Sequence, residues 1–369
     1  MAKLTKTQSH RPDFILLGAV VALVLFGLLM IYNASPVTSL RDFGDPLYLT
    51  RLQAIWVVVG IIFGFVVFKI PYTFWQRIAP FIMLLALILL AAVFIPGLGT
   101  KAYGAQRWLN LGFVGGQPAE FAKLAYIIYL SAFLAKKIRF IPFLLITAGI
   151  AAIVLAQKDL GTTVIITLIG LTLYFIAGGL LWHLAALVPV MVAFATFFIF
   201  TSGYRKARLL SFLNPSIDTQ GISYHVNQVL IAIGSGGVFG VGLGESRQKY
   251  GYIPEVTTDS IFAVIGNELG FVGALVFIAV FLIIIYRGFT IARAAPDKFG
   301  QLVAVGISTW ICLQTFINLA GLTALLPLTG VPLPFTSYGG SSLVATLLSA
   351  ALLLNISRYT KVGVEIGKK

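Results

Sequence analysis

The chain has 369 residues, of which 59% are apolar and 10% charged, and its formal net charge is +14. Soluble domains average about 45 to 50% apolar and about 25% charged, so this composition excludes a soluble fold and points to lipid. In such a protein the placement of the 26 Lys and Arg residues outweighs their sum, and the positive excess is no sign of nucleic acid.

Apolar stretches near 20 residues, each able to cross about 30 Å of hydrocarbon as a helix, predict an all-α polytopic membrane protein. About ten transmembrane helices are expected, near residues 14–32, 53–69, 78–95, 118–135, 140–156, 161–179, 182–201, 259–286, 301–326 and 338–357. Lys3, Lys6 and Arg11 ahead of the first stretch resemble a signal peptide, but its length and the nine spans that follow favour an uncleaved helix. The single cysteine, Cys312, lies inside a span and excludes a disulfide framework or a Cys-based zinc site within the chain.

With the N-terminus inside, fifteen Lys and Arg lie on the inner side, ten on the outer side, and Lys123 inside a span. This bias places both termini in the cytoplasm. Half of the outer cations, Arg205, Lys206, Arg208, Arg247 and Lys249, fall in one long outer loop, residues 202–257, within a single domain spanning 1–369. The loop holds an Asn214-Pro215 turn signal, an apolar segment from Tyr224 to Ile233 suited to a short surface helix, and six glycines between Gly234 and Gly244.

The chain has twelve carboxylates. Asp13, Asp297 and Glu365 are inner, seven are outer, and Glu120 and Glu268 enter the membrane. Asp259 is expected in the first turn of the eighth span, with Thr257 or Thr258 as N-cap, which is an ordinary helix-start signal. It is equally placed at the membrane boundary to take a proton from an incoming hydroxyl. Glu120 and Lys123 share a helix face and pair, and an ionisable group inside a span faces a cavity or a partner. Glu268, nine residues past Asp259, is expected about 13 Å deeper along the same helix. Arg107 beside Trp108 reads as an interfacial anchor or, through its planar fork, a phosphate clamp. Asp159 caps a helix or joins that site. The segment from Pro332 to Ser342 breaks the helix before the last span, and irregular backbone at that depth is tolerated where it is buried or lines a cavity. The glycines fit neither the P-loop nor the dinucleotide spacing, the three histidines make no metal site, and no Gly-x-Ser-x-Gly elbow occurs.

Several segments together resemble the SEDS proteins, the shape, elongation, division and sporulation proteins of bacteria. They are Gly104-Ala105-Gln106-Arg107-Trp108-Leu109, Gln117-Pro118-Ala119-Glu120-Phe121-Ala122-Lys123, Asp159-Leu160-Gly161-Thr162, Pro254-Glu255 with Thr258-Asp259, Glu268-Leu269-Gly270, and Pro332-Leu333-Pro334 with Ser337-Tyr338-Gly339-Gly340-Ser341. The resemblance runs from first span to last in the same order. Gly242-Leu243-Gly244-Glu245-Ser246-Arg247-Gln248-Lys249 looks more like the division member FtsW and its sporulation relatives than like the elongation member RodA.

The resemblance implies a peptidoglycan glycosyltransferase that polymerises lipid II into glycan strands at the outer face of the cytoplasmic membrane. It also implies work alongside a class B penicillin-binding protein and other division or elongation proteins. It assigns the essential aspartate to Asp259 and the charged pair to Glu120 and Lys123, and places Arg107, Asp159, Arg208 and Gln228 on motif positions for substrate. No organic cofactor is implied, and a divalent cation is compatible with the pyrophosphate. Departures stand at Lys158, where Pro often precedes the aspartate, at Thr257 for His, at Ser260 for Phe and at Asn267 for Glu. Competing readings are a lipid-linked sugar translocase and a non-catalytic scaffold.

Overall fold

The computed structural model describes residues 10–360 apart from 103–104, 111–114, 202, 204–205, 207–208, 211 and 213–221. Its helices in chain order are α1 Phe14–Ala34, α2 Pro36–Phe43, α3 Tyr48–Lys69, α4 Tyr72–Ala92, α5 Pro118–Lys136, α6 Phe140–Ala156, α7 Leu160–Ala177, α8 Leu181–Phe200, α9 Ile222–Ser235, α10 Ile261–Ala294, α11 Lys298–Leu322 and α12 Gly340–Ser357. Eight of them are long and apolar enough to cross a membrane among the described residues, and α6 and the apolar part of α8 are shorter. Each of the ten expected spans coincides with one of these ten helices, so the multi-pass helical architecture follows from hydropathy. Burial sorts them. Helices α5, α11 and α12 are enclosed over most of their length, whereas α3 and α4 present large apolar side chains outward.

Both described chain ends lie on one face, where the His10 amide donates to the Arg358 carbonyl. Asp13 caps α1 and pairs with Arg287, Asp297 caps α11, and Asn355 binds the Phe68 and Ile70 carbonyls at the α3–α4 turn. These contacts satisfy helix-end groups that have no partner within their own helix.

The opposite face carries one element absent from the sequence reading, a small antiparallel sheet of β1 Gly99–Ala102, β2 Ala105–Asn110 and β3 Gly115–Gly116 in the order β1-β2-β3. Along β2, Ala105 and Leu109 are buried while Trp108 and Asn110 are exposed. Six residues with that alternation are too few to register against the helical periodicity around them.

The largest departure from expectation is in α10. At Gly270 the backbone leaves the helical region, with φ 66° and ψ −166°, and the chain doubles back. Phe262 and Phe277 would stand about 22 Å apart on a continuous helix, yet their ring centroids are 6.1 Å apart. The limb 261–269 is thus re-entrant, and 271–294 crosses the membrane alone. Glu268 is therefore not deeper than Asp259. Asn33, one residue from the end of α1, bonds Glu268. Asp259 follows Thr258, whose carbonyl accepts from Ser337. Next to Ser337, Thr336 packs on Gly27, seven residues or about 10 Å before the end of α1. Asp259 is therefore recessed relative to Glu268, which is buried beside the end of α1.

The broken helix exposes backbone groups that its own turns cannot satisfy, and the glycine run supplies the partners. Val241 and Gly242 donate to the carbonyls of Asn267 and Glu268, while Phe271 and Val272 donate to Gly237 and Val238. Close approach needs missing side chains: a Cβ on Gly240 would lie 2.1 Å from the Glu268 carbonyl oxygen, and one on Gly270 would lie 2.2 Å from the Gly240 nitrogen. The apolar segment expected to lie on the surface is α9, and it packs on α10 with Val229 and Ala232 wholly buried. Asn267 fastens it, donating to the Ala232 carbonyl and to Ser235.

A Gly270→Ala substitution forces both the clash and the positive φ, so it is expected to cost about 2 to 4 kcal/mol. Gly149→Ala, in the interior of α6 with nothing within 4 Å of a built Cβ, is expected to raise stability by up to about 1 kcal/mol. Thermal unfolding in detergent measures both; equal midpoints for the two variants would contradict the role given to the break.

Candidate active site

Asp259 stands two residues before the first helical residue of α10. The N-cap is Ser260, in place of the expected Thr257 or Thr258, and its side chain makes no capping bond. Its hydroxyl instead lies 2.7 Å from His225 Nε2 on α9. Asp259 is thus outside the first turn, and the simple helix-start role does not describe it. The backbone around it is clamped at three consecutive carbonyls. Thr257 accepts from the Tyr338 amide at 2.8 Å, Thr258 from Ser337 Oγ at 2.5 Å, and Asp259 from Asn318 Nδ2 at 2.9 Å. The side chain is half-buried against Gly330, where a Cβ would stand 3.1 Å from Oδ2. A glycine there leaves room beside the carboxylate.

Lys123 does not reach this recess. Its side chain is completely buried, with Nζ 2.7 Å from both Glu120 Oε1 and Gln314 Oε1 and 4.8 Å from the Trp310 ring centre. Gln314 donates in turn to the Pro332 carbonyl at 2.8 Å, and Asn318, one turn further along α11, donates to the Val331 carbonyl at 2.8 Å. The Lys123 charge is thus met within the protein by Glu120. The Glu120–Lys123 pair orients Gln314, and Gln314 with Asn318 holds the extended segment that faces Asp259. Gln314 and Asn318 are polar residues four apart on an apolar span, a spacing that marks one face; that was the available signal.

Arg107 projects from β2 to Asp159 and its neighbour. Its Nη2 donates to the Lys158 carbonyl at 2.5 Å, and its Nε lies 4.0 Å from Asp159 Oδ2. Asp159 is the N-cap of α7: it accepts from the Thr162 amide and hydroxyl, both at 3.0 Å, and from Gln117 Nε2 at 3.0 Å. Its carboxylate is thus occupied with capping, and its part in the site is to orient Arg107 and Gln117. Lys158 has φ 64°, which a proline cannot adopt. The departure there alters the turn itself. Arg208 lies outside the described residues. Gln228 is half-buried on α9, three residues after His225 and hence on the same side of that helix.

These contacts bring four helix amino termini together. The Gln117 backbone amide, just before α5, donates to Ser341 Oγ of α12 at 3.0 Å, the Gln117 side chain reaches the α7 cap, and Ser337 ties the start of α10 to the turn before α12. Gln53 of α3, buried, braces that turn through the Ser337 carbonyl and the Gly339 amide. Amino termini carry partial positive charge and unpaired N–H groups, so their grouping beside Arg107 favours an anionic ligand next to the Asp259 carboxylate. Among the described residues no three His, Cys, Asp or Glu side chains group as metal ligands. His225 and Ser260 were not legible as a pair, since 35 residues separate them.

A family model for cell cycle proteins, FtsW, RodA and SpoVE, matches residues 14–362. The chain is 40% identical over 364 residues to a protein of Trichlorobacter lovleyi named "Probable peptidoglycan glycosyltransferase FtsW", covering 96% of each chain. It is 37% identical to the stage V sporulation protein E of Bacillus subtilis, covering 96% of this chain and 99% of the relative. Among solved structures it is similar to a chain in a peptidoglycan synthase complex that coordinates polymerization and crosslinking, with TM-score 0.79, 26% identity and coverage of 94% and 98%. It is also similar to the rod shape determining protein RodA of Thermus thermophilus, with TM-score 0.71, 26% identity and coverage of 95% and 98%.

Because the Glu120–Lys123 pair is buried, Lys123→Met is expected to cost about 3 to 5 kcal/mol by stranding the carboxylate, and Glu120→Gln with Lys123→Met together much less. Unfolding midpoints of the single and double variants test this. A single variant as stable as the parent would return Lys123 to the role of direct ligand.

Proposed function

The chain belongs to the FtsW, RodA and SpoVE family of cell cycle proteins, and from that premise we propose a peptidoglycan glycosyltransferase that polymerises lipid II into glycan strands for division or shape. The recess faces away from the two chain ends, so on this reading it opens at the outer face of the bacterial cytoplasmic membrane with both termini inside. The observation that carries the reaction is the half-buried Asp259 carboxylate beside Gly330, on a backbone that Asn318 holds where helix amino termini meet.

The reaction divides between these residues as follows. A sugar hydroxyl attacks the anomeric carbon of a polyprenyl-pyrophosphate-linked sugar, and the new C–O bond forms as the bond to phosphate breaks. Asp259 takes the hydroxyl proton in that single inverting displacement. The electron pair leaves on pyrophosphate, whose charge is met by Arg107, the grouped amino termini and, as the family resemblance implies, Arg208. Gln228 lines the approach from α9. Glu120 and Lys123 hold Gln314 in register. Were a divalent cation bound here, Asp259 is the carboxylate that would hold it, and it would supply positive charge to the leaving pyrophosphate. Crosslinking of the product falls to a separate partner, a class B penicillin-binding protein, a reading supported by the likeness to a chain of a polymerising and crosslinking complex.

Purified protein incubated with labelled lipid II, alone and with its transpeptidase partner, tests the assignment. Asp259→Asn is expected to lower polymer formation by about 10²- to 10⁴-fold with the fold intact. Full activity in that variant sinks the assignment of the base. Movement of lipid across vesicles without polymer points to a translocase, and an unaltered phenotype for Asp259 variants points to a scaffold.

A further inference from the structure

A second cavity opens near the surface opposite the chain ends, between the end of α1, the start of α2, the residues before α3 and the loop after α9. It measures about 360 Å³, and Tyr32, Asn33, Pro36, Pro46, Lys249 and Tyr250 shape it. Part of its wall is a buried polar network. Lys249 Nζ lies 2.6 Å from Asn33 Oδ1, 2.7 Å from the Gly244 carbonyl and 3.1 Å from Glu268 Oε1, and Asn33 donates back to Glu268 Oε2.

The donor count decides what this cavity can take. An ammonium has three N–H groups, and all three are used within the protein. The Lys249 charge is also balanced by Glu268 at contact distance. A phosphate or carboxylate would find the ammonium donors taken and its charge already balanced. The mouth is instead flanked by Tyr32 and Tyr250, 54% and 55% exposed, and by two prolines, giving flat apolar surfaces edged with hydroxyls. Interfacial tyrosines often anchor a helix in the bilayer, but anchoring needs no cavity. Apolar and aromatic walls around a few fixed polar groups are the composition of a small-molecule site, and a neutral ligand with both apolar faces and hydroxyls is a sugar.

We propose that this cavity binds a neutral N-acetylated pyranose unit of a glycan, apart from the Asp259 recess. That the unit is N-acetylated and belongs to the growing strand rests on the polymerase reading; the cavity's preference for a neutral sugar does not. Glu268, which pairs with Lys249 behind the cavity wall, also ends the re-entrant limb that begins beside Asp259.

The test uses the full-length protein in detergent and chitotetraose, a soluble, uncharged N-acetylglucosamine tetramer, followed by saturation-transfer NMR. Tyr32→Ala and Tyr250→Ala are each expected to weaken binding roughly tenfold, while Asp259→Asn leaves it unchanged. With lipid II as substrate, the tyrosine variants are expected to make strands several-fold shorter at an initial rate within twofold of the parent. No binding of chitotetraose to the parent, or binding to both tyrosine variants as tight as to the parent, overturns the proposal. If lipid II is not polymerised at all, the polymerase reading fails while the tetramer arm still decides the cavity.

Discussion

Inside a bilayer a backbone N–H or carbonyl without a partner costs several kcal/mol, and water is not there to supply one. A span that doubles back at Gly270 creates several such groups at once, and much of the surrounding architecture answers them. The glycine run from Gly236 to Gly242 lies against the break because only bare backbone approaches closely enough to trade hydrogen bonds with it. Helix α9 and the Lys249 network then fix that run from either side. Without this arrangement the limb 261–269 would continue into the helix beyond it, and Asp259 would stand on another part of the molecule.

A second constraint is the buried charge pair of α5. Glu120 and Lys123 neutralise each other in the protein interior, and the amide of Gln314 extends their reach to the Pro332 carbonyl. Asn318 repeats the contact one turn later and touches the Asp259 carbonyl as well as that of Val331. A rigid polar spine thus links a charge pair to the backbone on both sides of the carboxylate. Its members need not touch substrate to matter.

The departures from the family pattern acquire local reasons in the same way. Ser260 supplies a hydroxyl to His225, an interaction unavailable to the usual phenylalanine. Asn267 bonds the end of α9 in place of a charge. Lys158, at φ 64°, sets the carbonyl that Arg107 grips. Ser260 adjoins Asp259, and Asn267 stands at the other end of the same limb.

Hydropathy alone located the ten long apolar helices, because a segment that must satisfy its backbone in lipid has to be helical and about 20 residues long. The sequence also marked the residues that carry charge into that environment, since Glu120, Lys123 and Asp259 are anomalous wherever the chain places them, and motif order identified the family. It did not reveal depth. Counting residues along a helix placed Glu268 below Asp259, and one glycine at positive φ reversed their order. Nor did it tell an exposed ligand from a strut: whether Lys123 meets substrate or Gln314 depends on α11 packing across α5, a contact between residues 191 positions apart. Local pattern fixes which groups must be satisfied; only the packed helices decide which partners satisfy them.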